Sequence, residues 1–335
     1  MNAPTPSNYQ APSQPTTQNI AQYSDESLLW RSDITDIIKQ AVLRYRLSKS
    51  VQQAENAQVL PGVRVVDFQT NQVVYDHNQN SVHFAASVNK LPIAWLVLQD
   101  LRAGTLQFNQ VLTWTAADQR AGAGIYDQPG APTQATVKDL LFDMLNPSGN
   151  TAVRALVNQG MGGAQAVNNR LAQVPQIPNT RLQPLDANRF YVGNTTPKEA
   201  LFIMQQLLAG QDKYQKYVKN ALATNIYTDI SVRSQLAGND FILLVNKVGL
   251  LDDPEGNNRH DVGVIYNTKA HKSYGFSLLT TSPFTSTTAT SVAEQSLKDM
   301  GRATLRYAGD KPGASLQTQT FAAPQPQQPN GRILY

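Results

Sequence analysis

The sequence predicts an α/β fold of the α+β sandwich kind. A five-stranded antiparallel sheet is flanked by N- and C-terminal helices, and an all-helical subdomain is inserted between the second and third strands. Three observations predict it. Two short strand patterns follow an N-terminal helical pattern. A long helical stretch comes next. Three longer strand patterns and a final amphipathic helix close the folded part. A cleft between sheet and inserted helices is the natural place for a site.

Residues 1–23 carry no charged side chain and are Pro, Gln, Ser, Thr, Asn and Ala-rich, a composition that buries no core and reads as a disordered segment. Residues 309–335 are similar and read as a disordered tail. The domain expected between them covers 24–308, with the α/β part at 24–83 and 236–308 and the helical part at 84–235. From Asp25 to Ser48, Leu28, Leu29, Ile34, Ile37, Ile38, Val42 and Leu43 recur at helical spacing, with Ser24 or Asp25 as cap. Gly62–Phe68 and Gln72–Tyr75 are strands joined at Thr70-Asn71. An apolar helix follows from about Ser87. Thr136 begins a capping-box variant before LLFDML, and Asn150–Val157 and Gly163–Val174 are helical runs. Thr196-Pro-Lys-Glu199 opens another helix, which Gly210 closes. Phe241–Val248, Asp261–Asn267 and Tyr274–Thr281 are strands. The polar stretch LLDDPEGNNRH reads as the loop between the first two. Ser291–Tyr307 is the terminal helix.

Composition excludes several functions. Basic residues number 28 against 24 acidic ones, without a dense Lys/Arg cluster, so nucleic acid is not an expected partner. There is no cysteine, which removes disulfides, zinc–thiolate sites and cysteine catalysis. The four histidines, His77, His83, His260 and His271, show no metal-ligand spacing. No apolar run is long enough to span a membrane, and no signal peptide is visible at the N-terminus.

Three short elements carry the chemistry. Ser87-Val-Asn-Lys90 places a hydroxyl and an amine three residues apart on one helix face, the layout of an activated serine nucleophile. A capped core helix with a snorkelling lysine is the plainer alternative. Ser148-Gly149-Asn150 lies in a loop between two helices of the inserted block. Lys247-Val248-Gly249 ends the first strand after that block. Each is weak singly; their order and context together are stronger.

With these elements the chain resembles the penicillin-recognising serine enzymes, and most closely the class A β-lactamases, whose motifs S-x-x-K, S-D-N and K-T-G occur in this order. GVRVVDFQTNQVVYDHNQNSVHFAASVNK is similar to that family's first hairpin and nucleophile helix. TVKDLLFDMLNPSGNTAVRALV is similar to its helix–S-D-N–helix segment, and RLQPLDANRF with NTTPKEA to its Ω loop and following helix. The resemblance implies an acylated Ser87, Lys90 as its proton acceptor, Ser148 as proton shuttle and Lys247 as attractor of the substrate carboxylate. It further implies an oxyanion hole from the backbone N–H groups of Ser87 and Leu250, and a substrate-binding set of Asn150, Val248, Gly249 and Tyr126. No cofactor or metal is implied. The implied partner is a small-molecule β-lactam or a peptidoglycan-like peptide, the protein a monomer, and the location extracytoplasmic or secreted.

Departures qualify this. Gln183 stands at the Ω-loop position of the usual general base, and a neutral amide cannot take that proton, so deacylation is expected to be impaired. Asp186 is a substitute at the wrong spacing. Val248 replaces a Thr and removes a hydroxyl, a loss of roughly 1–3 kcal/mol if the acceptor stays unpaired. Gly149 replaces the middle Asp of S-D-N, and Gly193 replaces an Asp that pairs with Arg181. Alternatives are an inactive binding protein of the same fold and a D,D-carboxypeptidase-type cell-wall enzyme. Trp114 and Tyr126 wall the cleft or fill the core. Arg259, His260 and Asp261 reach a substrate carboxylate or lie in a solvated turn. The AGAG at 121–124 lacks the context of a phosphate loop.

Overall fold

The computed structural model describes residues 36–183, 193–227, 232–236, 242–253, 256–268 and 270–309. Helix α1 (Asp36–Asn56) precedes the hairpin of β1 (Leu60–Asp67) and β2 (Gln72–His77). The short β3 (His83–Phe84) leads through a 3-10 turn into α2 (Lys90–Ala103). The inserted block then holds β4 (Val111–Thr113), β5 (Gln134–Thr136), α3 (Val137–Leu145), α4 (Asn150–Arg154) and α5 (Ala164–Ala172). After it come β6 (Asn194–Thr195), α6 (Pro197–Leu208) and α7 (Lys213–Ala223). The chain returns through β7 (Ile242–Asp253), β8 (Gly256–Asn267) and β9 (Lys272–Ser282) to α8 (Thr287–Ala308).

The five long strands form one antiparallel sheet in the order β2-β1-β9-β8-β7. Terminal helices cover one face: Leu43, Leu47 and Val51 of α1 and Leu297 and Met300 of α8 pack on Val63, Val65, Phe276 and Leu278. The helical block covers the other face, where Val245, Val262, Val264 and Leu279 join the core built by Leu91, Leu96, Leu140, Leu156 and Met204. This is the sandwich expected from the element order.

Several boundaries differ from expectation. Helix α1 runs on to Asn56, because Val51 and Ala54 continue the buried stripe of Leu43 and Leu47 past Ser48. The stretch expected to be a polar loop after Val248 is mostly strand. The β7–β8 register continues through Leu250↔Arg259 and Asp252↔Asn257 to Asp253↔Gly256. Of its asparagines, Asn257 Nδ2 donates to Thr290 Oγ1 of α8 at 2.6 Å, and Asn258 Oδ1 accepts from Thr281 Oγ1 of β9 at 2.9 Å. Pairing with β9 on the far side overrides the local preference of these residues for turns. The two-stranded pairs β3–β6 and β4–β5 are too short to show a period in sequence. Two caps stand as expected: Thr136 accepts from Asp139 N, and Thr196 from Glu199 N. Among the described residues no helix is long and apolar enough to cross a membrane.

Candidate active site

Ser87 lies in the 3-10 turn Ala86–Asn89, and the α-helix starts only at Lys90. In a 3-10 turn residues i and i+3 eclipse. The tighter winding therefore brings the two side chains together, with Lys90 Nζ 3.0 Å from Ser87 Oγ. Ala86, immediately before the serine, has φ +47°, a left-handed conformation that a non-glycine residue holds only where its surroundings impose it. Those surroundings are visible. Ala85 N donates to Gly193 O at 2.8 Å, and Val88 N to Ala85 O at 2.9 Å. From β8, His260 Nε2 donates to Phe84 O at 2.7 Å while its Nδ1 accepts from Thr280 N. Burial lowers the His260 pKa to about 4, so a neutral ring makes this link.

Four oxygens surround the Lys90 amine: Ser148 O at 2.6 Å, Ser148 Oγ at 2.8 Å, Asn150 Oδ1 at 3.0 Å and Ser87 Oγ. An ammonium has three hydrogens, so one of these contacts is not an N–H donation. Lys90 is almost completely buried. Burial pulls its pKa down to about 7, against the opposing charges of Asp127 and Asp143. Lys247 reaches the same hydroxyl from β7, with Nζ 3.0 Å from Ser148 Oγ and donating to Val248 O at 3.0 Å. Its pKa is held well below the usual lysine value by burial and then by the charge of Lys90, with Asp261 opposing. Ser148 itself has φ +68° and sits between both amines.

One carboxyl bonds the Ser148–Asn150 turn and a second lies against it. Asp127 caps α4 from a distant loop, accepting from Asn150 N at 3.0 Å, Thr151 N at 2.7 Å and Gly124 N at 2.9 Å. Asp143 accepts from Ile125 N at 2.6 Å. The AGAG segment now has a reason. Cβ atoms on Gly122 and Gly124 would overlap the Asp127 carboxyl, the Asn150 amide and Gly149. Bare backbone lets this loop close on the turn, and Ala121 O accepts from Asn150 Nδ2 at 2.8 Å.

The remaining predicted residues divide. Gly249 touches the nucleophile turn: a Cβ there would stand 3.1 Å from Val88 Cγ2 and 3.2 Å from Ala85 O. Leu250 is partly exposed and lines the cleft with Ser87, Asn89, Lys90, Asn150 and Leu251. As the edge strand, β7 turns alternate backbone groups away from β8. The Val248 side chain is buried and is not among the cleft-lining residues. Tyr126 is placed in the core, edge-to-face on Trp114 at 5.5 Å, rather than on the cleft wall. The 3-10 turn at Ile125–Asp127 faces Asp127 to the backbone of α4 and the ring inward.

Gln183 is exposed and is likewise not among the lining residues. Asp186 lies outside the described residues. Arg181 donates to Ile177 O and Thr180 O, so backbone carbonyls replace the expected aspartate partner. Gly193 has φ +68°, and any Cβ there would overlap Arg181 O, which explains why no Asp occupies the position. Glu199, buried at the head of α6, clamps the same segment by accepting from Asn179 Nδ2 at 2.8 Å and Thr180 Oγ1 at 2.6 Å. Arg259, His260 and Asp261 are neither a turn nor in the cleft. Arg259 pairs with Asp252 and Glu294, on the side of α8. Asp261 accepts from Asn246 Nδ2 at 2.8 Å. Among the described residues no group of three metal-ligating side chains converges.

Sequence reasoning missed Asp127, Asp143, the clamp that Glu199 makes on Asn179 and Thr180, and the support from His260. Asp143 left one trace, a charged residue inside the otherwise apolar LLFDML.

A family model described as the beta-lactamase enzyme family matches residues 43–308. No curated protein sequence matches the chain. Solved structures of similar fold include a beta-lactamase from Sphaerobacter thermophilus, at 23% identity and TM-score 0.65, covering 78% of this chain and 96% of its own. A beta-lactamase from Xanthomonas campestris pv. campestris matches at 19% identity and TM-score 0.67, covering 81% and 99%. A mutant of PBP-A, solved as an acyl-enzyme complex with penicillin G, matches at 15% identity and TM-score 0.65, covering 77% and 95%.

Proposed function

The chain belongs to the beta-lactamase enzyme family, and from that premise we propose that it is a serine acyl-transfer enzyme that forms an acyl-Ser87 intermediate. The observation that carries the reading is the contact between Ser87 Oγ and a buried Lys90 amine whose proton is loosened by burial. A neutral Lys90 has a lone pair for the hydroxyl hydrogen. In the acylation step Ser87 Oγ attacks the substrate carbonyl carbon and its proton passes to Lys90. The C–N bond then breaks as Ser148 hands a proton to the departing nitrogen, and is itself resupplied from the amines beside it. Backbone N–H groups of Ser87 and Leu250 face the developing oxyanion, each such donor being worth about 3–4 kcal/mol. Asn150 holds the substrate amide, and Lys247 draws its carboxylate.

The substrates are β-lactams or related amides, esters and cell-wall peptides. The penicillin G acyl-enzyme of the PBP-A mutant, of similar fold, supports that class. Gln183 has no ionisable group to activate water, so the acyl-enzyme is long-lived. An extracytoplasmic location and a monomeric state belong to the same reading.

Intact-mass spectrometry after exposure to penicillin tests it. An adduct that persists in the parent chain and is missing in Ser87→Ala is expected. Absence of any adduct at high drug concentration makes the protein a binding module of this fold, and rapid return to unmodified mass overturns the role given to Gln183.

A further inference from the structure

Asp143 is a fully buried carboxyl to which the acyl-transfer chemistry assigns no task. It projects from the last turn of α3 into a gap between two glycines of separate loops. A Cβ on Gly149 would overlap its Oδ2, and one on Gly124 would stand 2.5 Å from the same atom. Gly149 has φ −57°, which any residue can adopt, so a glycine is needed here for space and not for conformation. Asp143 also contributes its backbone. Its carbonyl accepts from Gly149 N at 2.7 Å while Oδ1 accepts from Ile125 N at 2.6 Å. One residue thus ties the turn to the loop that faces it. Where the resemblance expects an acid between Ser148 and Asn150, the chain has a hydrogen atom, and a carboxyl from the preceding helix fills the space.

We propose that Asp143 is a positioning residue for acyl transfer: its carboxyl, delivered from α3, does the ordering work that Gly149 cannot do, and keeps Ser148 and Asn150 on the Lys90 amine. Its surroundings fit the role. Asp127 faces it from the Ile125–Asp127 turn and Lys90 from α2, and Oδ2 has no hydrogen-bond partner. Burial, reinforced by Asp127, pushes the carboxyl up to about 7, while the Ile125 N–H and Lys90 pull it down. Lys90 in turn feels the carboxylate as a charge that favours its protonated form.

The inference rests on Ser87 being acylated, and an exchange experiment tests it. Asp143→Gly and Gly149→Asp are each expected to slow acylation of the full chain by penicillin about 100-fold, the usual cost of displacing reacting groups by about an ångström. The double variant returns the carboxyl to the turn and is expected to recover most of the loss. Asp143→Asn keeps the shape and the acceptor for Ile125 N, so it stays folded. Its acylation profile is expected to keep its form while the acid limb moves to lower pH, because one charge that favours protonated Lys90 has gone. Asp127 and Lys247 remain beside Lys90. A folded double variant no faster than the slower single, or an Asp143→Asn variant with unchanged rate and unmoved acid limb, overturns the proposal. If the parent itself takes no acyl group, the acyl-transfer reading is what fails. Melting temperatures of the four proteins then still read the exchange, since recovery in the double variant is expected there too.

Discussion

Lys247 Nζ stands 3.0 Å from Ser148 Oγ across the cleft, and it is the contact by which the sheet edge joins the helical block at the serine hydroxyl. The same hydroxyl is 2.8 Å from Lys90 Nζ. Ser148 Oγ is therefore within hydrogen-bond reach of both amines, and the proposed chemistry passes a proton through it. Ser148→Ala removes that path and leaves Ser87 and Lys90 in place. The expected result is acylation slowed by about 10²–10³, within the usual range for loss of a proton-transfer group, with the Ser87 adduct still forming at long times. A mass time course checks it, and an unchanged rate would remove Ser148 from the mechanism.

Acylation by penicillin is expected to rise with pH through about 7. Lys90 accepts the hydroxyl proton only when neutral, and burial brings its pKa to that value. A rate that falls with pH across this window contradicts Lys90 as the base.

The same shift has a signature in stability. The folded pKa lies below that of the unfolded chain, so between about 7 and about 10.5 the unfolded state binds the extra proton. Folding stability from this group therefore rises with pH across that window, and the full cost is present below about 7. The stability of the parent relative to Lys90→Met is expected to fall as the pH is lowered from about 10 to about 7 and to level off below that. Denaturant midpoints at a series of pH values measure it, and a difference independent of pH counts against a buried, proton-poor amine.

Gln183→Glu supplies an ionisable group at the position where the resemblance expects the usual base. The expected outcome is an adduct that forms as before and is released about 100-fold faster, followed by mass and by product appearance. The same adduct lifetime in both proteins would show that the loop holds residue 183 away from the acyl group.

Thr196→Ala removes the cap of α6, the helix that also carries Glu199. A loss of about 1 kcal/mol is expected, seen as a melting temperature lower by about 2–4 °C. Glu199→Ala is expected to cost more, because it removes the carboxylate acceptor of the buried Thr180 hydroxyl, a loss of about 1–3 kcal/mol, together with the contact to the exposed Asn179 amide.

Local patterns carried the sandwich and the three motif elements. Short runs rich in Val, Ile, Leu and Phe marked the five long strands, the Thr136 and Thr196 caps marked two helices, and Ser87, Lys90, Ser148 and Lys247 stood out as residue types in order. These readings rest on interactions within a few residues of each other, which is why they are legible in one dimension. The polar run after Val248 misled for the opposite reason. Its turn-forming residues are strand because β9 and α8 supply partners that lie far along the chain.

The sequence by itself determined which groups are available for chemistry, and that Gln183 and Gly149 stand where the resemblance expects acids. Only the tertiary structure decided where the charges went. It turned Tyr126 into the core, sent Arg259 to Asp252 and Glu294, and brought Asp127 and Asp143 to the Ser148–Asn150 turn. The physical reason is burial. A carboxyl or an amine inside the protein must find partners in three dimensions, and the glycines at 122, 124 and 149 leave room for those partners to meet.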